Sequence, residues 1–187
     1  QVRGVIRDRD GATSEYQTLV TILEDEPAIQ LVAKPTTVSE GEVVELLASV
    51  VDQGNEALEQ IVVDWGDGTI ETFDSLSQTM NHIYADNGTP IIELSLWSDG
   101  REYTQTVGVT VTNSVPEISS LTTQSGTILE SELVRLTGQI LDQGSNDSHQ
   151  IQVDWGDGTS DTYQIPAGST SFEVSHPYAN EGQYTIT

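Results

Sequence analysis

The 187-residue chain sets 30 aspartates and glutamates against six lysines and arginines, for a formal charge of −24, and contains no cysteine. So dense a negative field repels phosphate backbones and anionic headgroups; it excludes nucleic-acid and membrane-surface partners and favours cations. Without thiols neither disulfides nor thiolate metal sites hold the fold, and no apolar run approaches the roughly 18 residues needed for insertion into a membrane.

Along the chain, residues 1–26 read as the last two strands of a preceding repeat, because Gly11 and Pro27 recur as Gly100 and Pro116 at one common offset. Strands are then expected near 29–33, 42–51, 60–65, 69–73, 79–84, 90–97 and 103–112. The reason is period two: Val44, Leu46, Ala48 and Val50 alternate with polar residues, as do Ile61, Val63 and Trp65, then Ile92, Leu94 and Leu96, then Val107, Val109 and Val111. No window carries an apolar stripe at helical spacing. Turn residues such as Gly-Asp-Gly, Asn-Gly and Ser-Asp-Gly break the chain every eight to twelve residues or so. Seven short strands of this kind predict an all-β fold, an antiparallel immunoglobulin-like β-sandwich.

The second half repeats the first. Val63 to Thr69, Val-Asp-Trp-Gly-Asp-Gly-Thr, recurs residue for residue at Val153 to Thr159, 90 positions on. The same step carries Glu40 to Glu130, Glu42 to Glu132 and Asp52-Gln53-Gly54 to Asp142-Gln143-Gly144. Tandem sandwiches are therefore expected: 1–26 as the end of one, 27–113 as a complete one, and 114–187 as another lacking its final strand or strands.

Val-Asp-Trp-Gly-Asp-Gly-Thr, followed by His82 and Tyr84 in one copy and by His176, Pro177, Tyr178 and Gly182 to Thr187 in the other, resembles the polycystic-kidney-disease (PKD) domain family. The acidic turns Asp8 to Gly11 and Ser98 to Gly100 resemble the family's turn between its last two strands. The pattern departs at Gly88-Thr89-Pro90, where a proline stands for the usual aromatic. The resemblance implies a sandwich module of secreted and surface proteins, acting as spacer, adhesion element or accessory domain of an exported hydrolase.

Within the repeated motif, Asp67 and Asp157 read as turn residues bonding backbone amides, and the tryptophan before each as a core residue. A cation ligand is the alternative. Topology offers stronger ligands, since the start of the first strand, the loop after the second and the loop before the last meet at one pole of such a sandwich. Those places carry Asp25, Asp52 and Asp99 in one repeat, Asn113 and Asp142 in the next, and Asp8 and Asp10 in the fragment. Clustered carboxylates repel unless a hard cation neutralises them, so Ca²⁺ is the expected ion, placed where one repeat meets the next. Solvated turn acids are the alternative.

His82 and His176 are expected to pack or hydrogen-bond rather than bind metal, and His149 to sit exposed in a loop. Trp97, placed outward by the alternation and near Tyr103, is the candidate for stacking on a sugar ring or a partner surface. Two functions remain open. One is a non-enzymatic extracellular or cell-surface array serving as spacer or stalk, whose partners are neighbouring repeats or other copies by strand exchange. The other is a polysaccharide- or protein-binding accessory region of a secreted hydrolase. Convex sandwiches with acids on loops do not predict an enzyme.

Overall fold

A computed structural model describes residues 2–21, 27–51, 58–98, 100–124 and 127–187, and every regular element among them is a strand. The chain opens with a hairpin of β1 (Val2–Arg7) and β2 (Thr13–Thr18), paired in unbroken antiparallel register and exposed along both strands. Arg3 and Glu15 bridge it.

The first sandwich follows. β3 (Ala28–Lys34), β4 (Thr37–Ser39), β5 (Val43–Val51), β6 (Leu58–Asp64), β7 (Ile70–Phe73), β8 (Met80–Ile83), β9 (Ile91–Ser98), β10 (Arg101–Gly108) and β11 (Thr110–Thr112) form two principal sheets. One has the order β3-β5-β8 and the other β10-β9-β6-β7, all pairs antiparallel. The alternating residues meet between them: Val44, Leu46, Ile61, Val63, Trp65, Ile92, Leu94 and Leu96 are all essentially inaccessible. Each such aliphatic side chain contributes about 1.5–3 kcal/mol by leaving water.

Two local features depart from the strands expected. The segment near 103–112 is split after Gly108, and a short strand, β4, pairs in parallel with its second part, β11. This crossing ties the start of the sandwich to its end. At Pro90 the ladder is sustained by backbone alone, since Val109 N donates to Pro90 O at 3.0 Å and Gly88 and Val111 exchange hydrogen bonds. The missing aromatic therefore costs no backbone pairing there.

Beyond 113–116 the pattern starts again with β12 (Glu117–Thr123), β13 (Leu133–Leu141), β14 (His149–Asp154), β15 (Ser160–Ile165) and β16 (Ser171–Pro177). The sheet β12-β13-β16 mirrors β3-β5-β8, and β14-β15 mirrors β6-β7. A second, separate core gathers Leu136, Ile140, Ile151, Val153, Trp155, Ile165, Phe172 and Val174. Register is kept even where spacing is not: His82 lies opposite Val44 and His176 opposite Val134, although these histidines are 94 residues apart. The four extra residues are absorbed between β15 and β16, where Ser169 N closes a turn on Pro166 O.

One glycine shows how tightly the second core is filled. Gly138 stands where the first sandwich has Ala48, and a Cβ there would lie 2.3 Å from the ring of Phe172. The aromatic ring occupies the volume that the missing side chain leaves. Gly138→Ala should therefore destabilise the second sandwich by about 1–3 kcal/mol, the usual range for overpacking. Urea unfolding checks this, with Phe172→Leu in the same background expected to recover part of the loss.

Candidate functional site

Both copies of the repeated heptapeptide fold into the same clasp. Trp65 N donates to Thr69 O at 3.0 Å to close the turn, and Gly66 and Gly68 take positive φ, as do Gly156 and Gly158 in the other copy. The first glycine of each pair is required twice over. A side chain on Gly66 would strike the backbone of Ile91 at 2.5 Å, and one on Gly156 would strike Thr185 at 2.4 Å.

The carboxylates of the motif are spent inside it. Asp64 accepts the Gly66 amide at 2.8 Å, and Asp67 accepts the Thr69 amide at 2.9 Å while its other oxygen meets His82 Nε2 at 2.7 Å. His82 stacks on Trp65 with ring centroids 4.8 Å apart, and Tyr84 sets its edge against His82 and donates its hydroxyl to Trp65 O at 2.9 Å. Glu71 accepts the indole N–H. Asp154, Asp157, His176, Tyr178 and Asp161 repeat these contacts around Trp155. Asp67, Asp157 and the two histidines thus lock a turn to the strand behind it.

A second cluster lies where the two sandwiches touch. Glu40, in the turn between β4 and β5, is fully buried. Its Oε1 accepts the Ser114 amide at 2.6 Å, and its Oε2 has no hydrogen-bond partner. From the second sandwich, the loop between β13 and β14 brings Asp142 and Asp147, and one carboxylate oxygen from each of the three residues lies within 4.8 Å of the others. At an effective dielectric of about 20, two unit charges no farther apart than this repel by at least about 3.5 kcal/mol. Among the described residues, no lysine or arginine forms an ion pair with any of the three.

The backbone is shaped around this cluster. A Cβ on Gly144 would lie 2.6 Å from Glu40 Oε1 and 2.8 Å from Asp147 Oδ2, so only glycine lets the loop pass between them. Gly41 leaves similar room for Gln143, whose Cβ would be 2.7 Å from a side chain there. Asp142 accepts the Gly144 amide through Oδ1 and faces His149 Nε2 through Oδ2 at 2.8 Å.

The expected ligands are therefore only partly brought together. Asp142 belongs to the cluster, and Asn113 precedes the Ser114 amide that holds Glu40 but turns its own amide onto Ser114 O. Asp8 and Asp10 lie on the exposed β1–β2 turn, where Asp8 caps the amides of Asp10 and Ala12. Asp25, Asp52 and Asp99 fall outside the described residues. Two members of the cluster, Glu40 and Asp147, escaped the sequence reading. The repetition of Glu40 as Glu130 was the available signal, but it marks a shared turn position and says nothing of a neighbour.

One expectation is corrected. His149 is not exposed: its side chain retains 11 % of its accessible surface, because it opens β14 against Asp142. Trp97 is half-buried on the outward side expected for it, opposite the exposed Glu102 and Gln60 on the antiparallel ladder, while Tyr103 faces Leu96. Neighbouring pairs point to opposite sides of a sheet, so Trp97 and Tyr103 do not form one stacking platform.

The family model described as PKD domain matches residues 24–112. No curated protein matches the chain. Among solved structures, one of carbohydrate-binding modules from the β-sandwich superfamily is 13 % identical, covering 84 % of this chain and 86 % of its own, with a TM-score of 0.43. Fibronectin(III)-like modules of Clostridium thermocellum CbhA are 17 % identical over 79 % of this chain and 78 % of theirs, with a TM-score of 0.40. A chimeric titin Z1Z2 carrying a decorin-derived peptide is 12 % identical over 87 % and 100 %, with a TM-score of 0.31.

The clasp carries its own pH dependence. Burial opposes ionisation of Asp67, but hydrogen bonds from His82 and from the amide and hydroxyl of Thr69 outweigh it and hold the carboxyl below its ordinary value. At Asp157 the Thr159 hydroxyl, then His176, bring the value down to about 2. A carboxylate whose folded pKa is depressed stabilises the fold above its unfolded value, about 4, and loses that contribution as the pH falls toward the folded one. Urea unfolding from pH 7 downward should show stability falling most steeply between about pH 4 and 2, and Asp157→Asn should flatten that slope. An unaltered slope in the variant would show that the clasp does not titrate as a unit.

Proposed function

Residues 24–112 are a PKD domain, and from that premise we propose that the chain is a non-enzymatic spacer segment of an extracellular protein. In this reading 114–187 is a second module of the same kind, and the two are held at a set angle. PKD domains are typically non-catalytic, and the carboxylates and histidines of the clasp are engaged in holding turns.

The observation that carries the reading is the seat between the sandwiches. Only 113–116 separate β11 from β12, a linker containing Pro116, which restricts its backbone. The amide of Ser114 in that linker is held by Glu40 of the preceding sandwich, and Asn146 N reaches Ala85 O across the junction at 3.4 Å. A freely jointed pair would have no need of a buried acceptor for a linker amide. Spacing of this kind gives a surface protein reach and direction, with neighbouring repeats as its partners.

The test is rotational. In ¹⁵N relaxation of the full chain, amides of 28–112 and 117–177 should fit one diffusion tensor, as a rigid pair does. Two unrelated tensors would describe beads on a string and contradict a spacer of fixed angle. Pull-down on insoluble polysaccharide should show no retention; retention lost on Trp97→Ala would transfer the chain to the accessory-domain reading.

A further inference from the structure

We propose that Glu40, Asp142 and Asp147 bind one divalent cation of the calcium type between the sandwiches, so that the junction closes when the ion is present. The donors are all carboxylate oxygens, three from two separate modules, within 4.8 Å of one another. Such a set suits a hard cation that accepts six to eight oxygens in an irregular cage. Magnesium, which demands a near-ideal octahedron and keeps its water, is the poorer match.

Clustered acids alone would not make a site, but Glu40 supplies independent support. Its side chain has no exposure, one oxygen holds the Ser114 amide, and the other is shut away from solvent without a hydrogen-bond donor. A buried unpaired carboxylate oxygen is among the costlier features a fold can carry. The same carboxylate group sets an oxygen within 4.8 Å of oxygens of Asp142 and Asp147, so a cation held by the three would supply the positive charge that this buried group lacks. The Asp142 side chain keeps only 5 % of its surface, and Gly144 provides the clearance for both chains to approach. The remaining coordination falls to water and backbone oxygens.

The mechanical consequence rests on the spacer reading, because the ion would join a turn of one module to a loop of the next. Removing it leaves three mutually repelling carboxylates at the hinge, and the modules separate. A site that binds only the closed junction stabilises it in proportion to the logarithm of ion concentration.

Calorimetric titration of the chelator-stripped full chain with CaCl₂ tests the site. One binding event is expected, accompanied by a rise in Tm over chelator and by weaker heats with MgCl₂. Glu40→Gln keeps the shape and removes the charge. It should lose at least about tenfold in calcium affinity while melting higher than the unsubstituted chain in chelator, since repulsion at the cluster is relieved. Asp147→Asn, at a less buried position, should show the same loss and serves if the first variant does not fold. Absence of heat with an unchanged Tm would overturn the proposal, and so would unaltered affinity in the folded variants. The spacer reading fails separately: a single diffusion tensor without calcium binding would keep it and discard the site, and binding with two tensors would do the reverse.

Discussion

A carboxyl group withdrawn from water is the constraint on which the junction depends. The effective penalty for burying an ion in a protein is several kcal/mol, and the native arrangement must offset it locally. Glu40 is offset in part by a linker amide on Oε1, while its carboxylate also lies within 4.8 Å of two more acids. The linker amide at Ser114 and the glycine at 144 both answer to where this one side chain lies. In a chain so deficient in basic residues there is little internal positive charge to draw on, and His149 is turned to Asp142.

Within each sandwich a different device operates. The clasp of tryptophan, histidine, tyrosine and aspartate joins the turn after one strand to the strand behind it and closes the core at that end. Its second edition around Trp155 is nearly superimposable in distances, with a ring stack of 4.9 Å and a tyrosine bond of 2.8 Å. Each sandwich is thereby stiffened from inside, by contacts that do not involve its neighbour. Orientation between modules is left to the few residues at the seam.

This division explains what could be read from the sequence. Alternation at Val44, Leu46, Ile61 and Val63 specifies strands and the buried face, because side chains along a strand alternate by simple geometry. The repeated heptapeptide marks the core tryptophans and the turns. The parallel pairing of Thr37–Ser39 with Thr110–Thr112 was not legible, since three residues are too few to show a period and their partner lies at the far end of the module. Glu40 and Asp147 were hidden for a related reason. They are separated by more than a hundred residues and meet only through the angle between modules, which no local pattern encodes. Reasoning from one pole of a single sandwich found Asp142 but sought its companions within the same module. The same alternation set Trp97 on the outward side, where it lies opposite Glu102 and Gln60.

Diffraction from crystals grown in millimolar calcium would test the central claim most directly. The expected result is a peak between Glu40, Asp142 and Asp147 with oxygen ligands at about 2.3–2.6 Å, Glu40 Oε2 among them. Contradiction would be a seam without that peak, in which Glu40 bonds to water and the two aspartates turn outward.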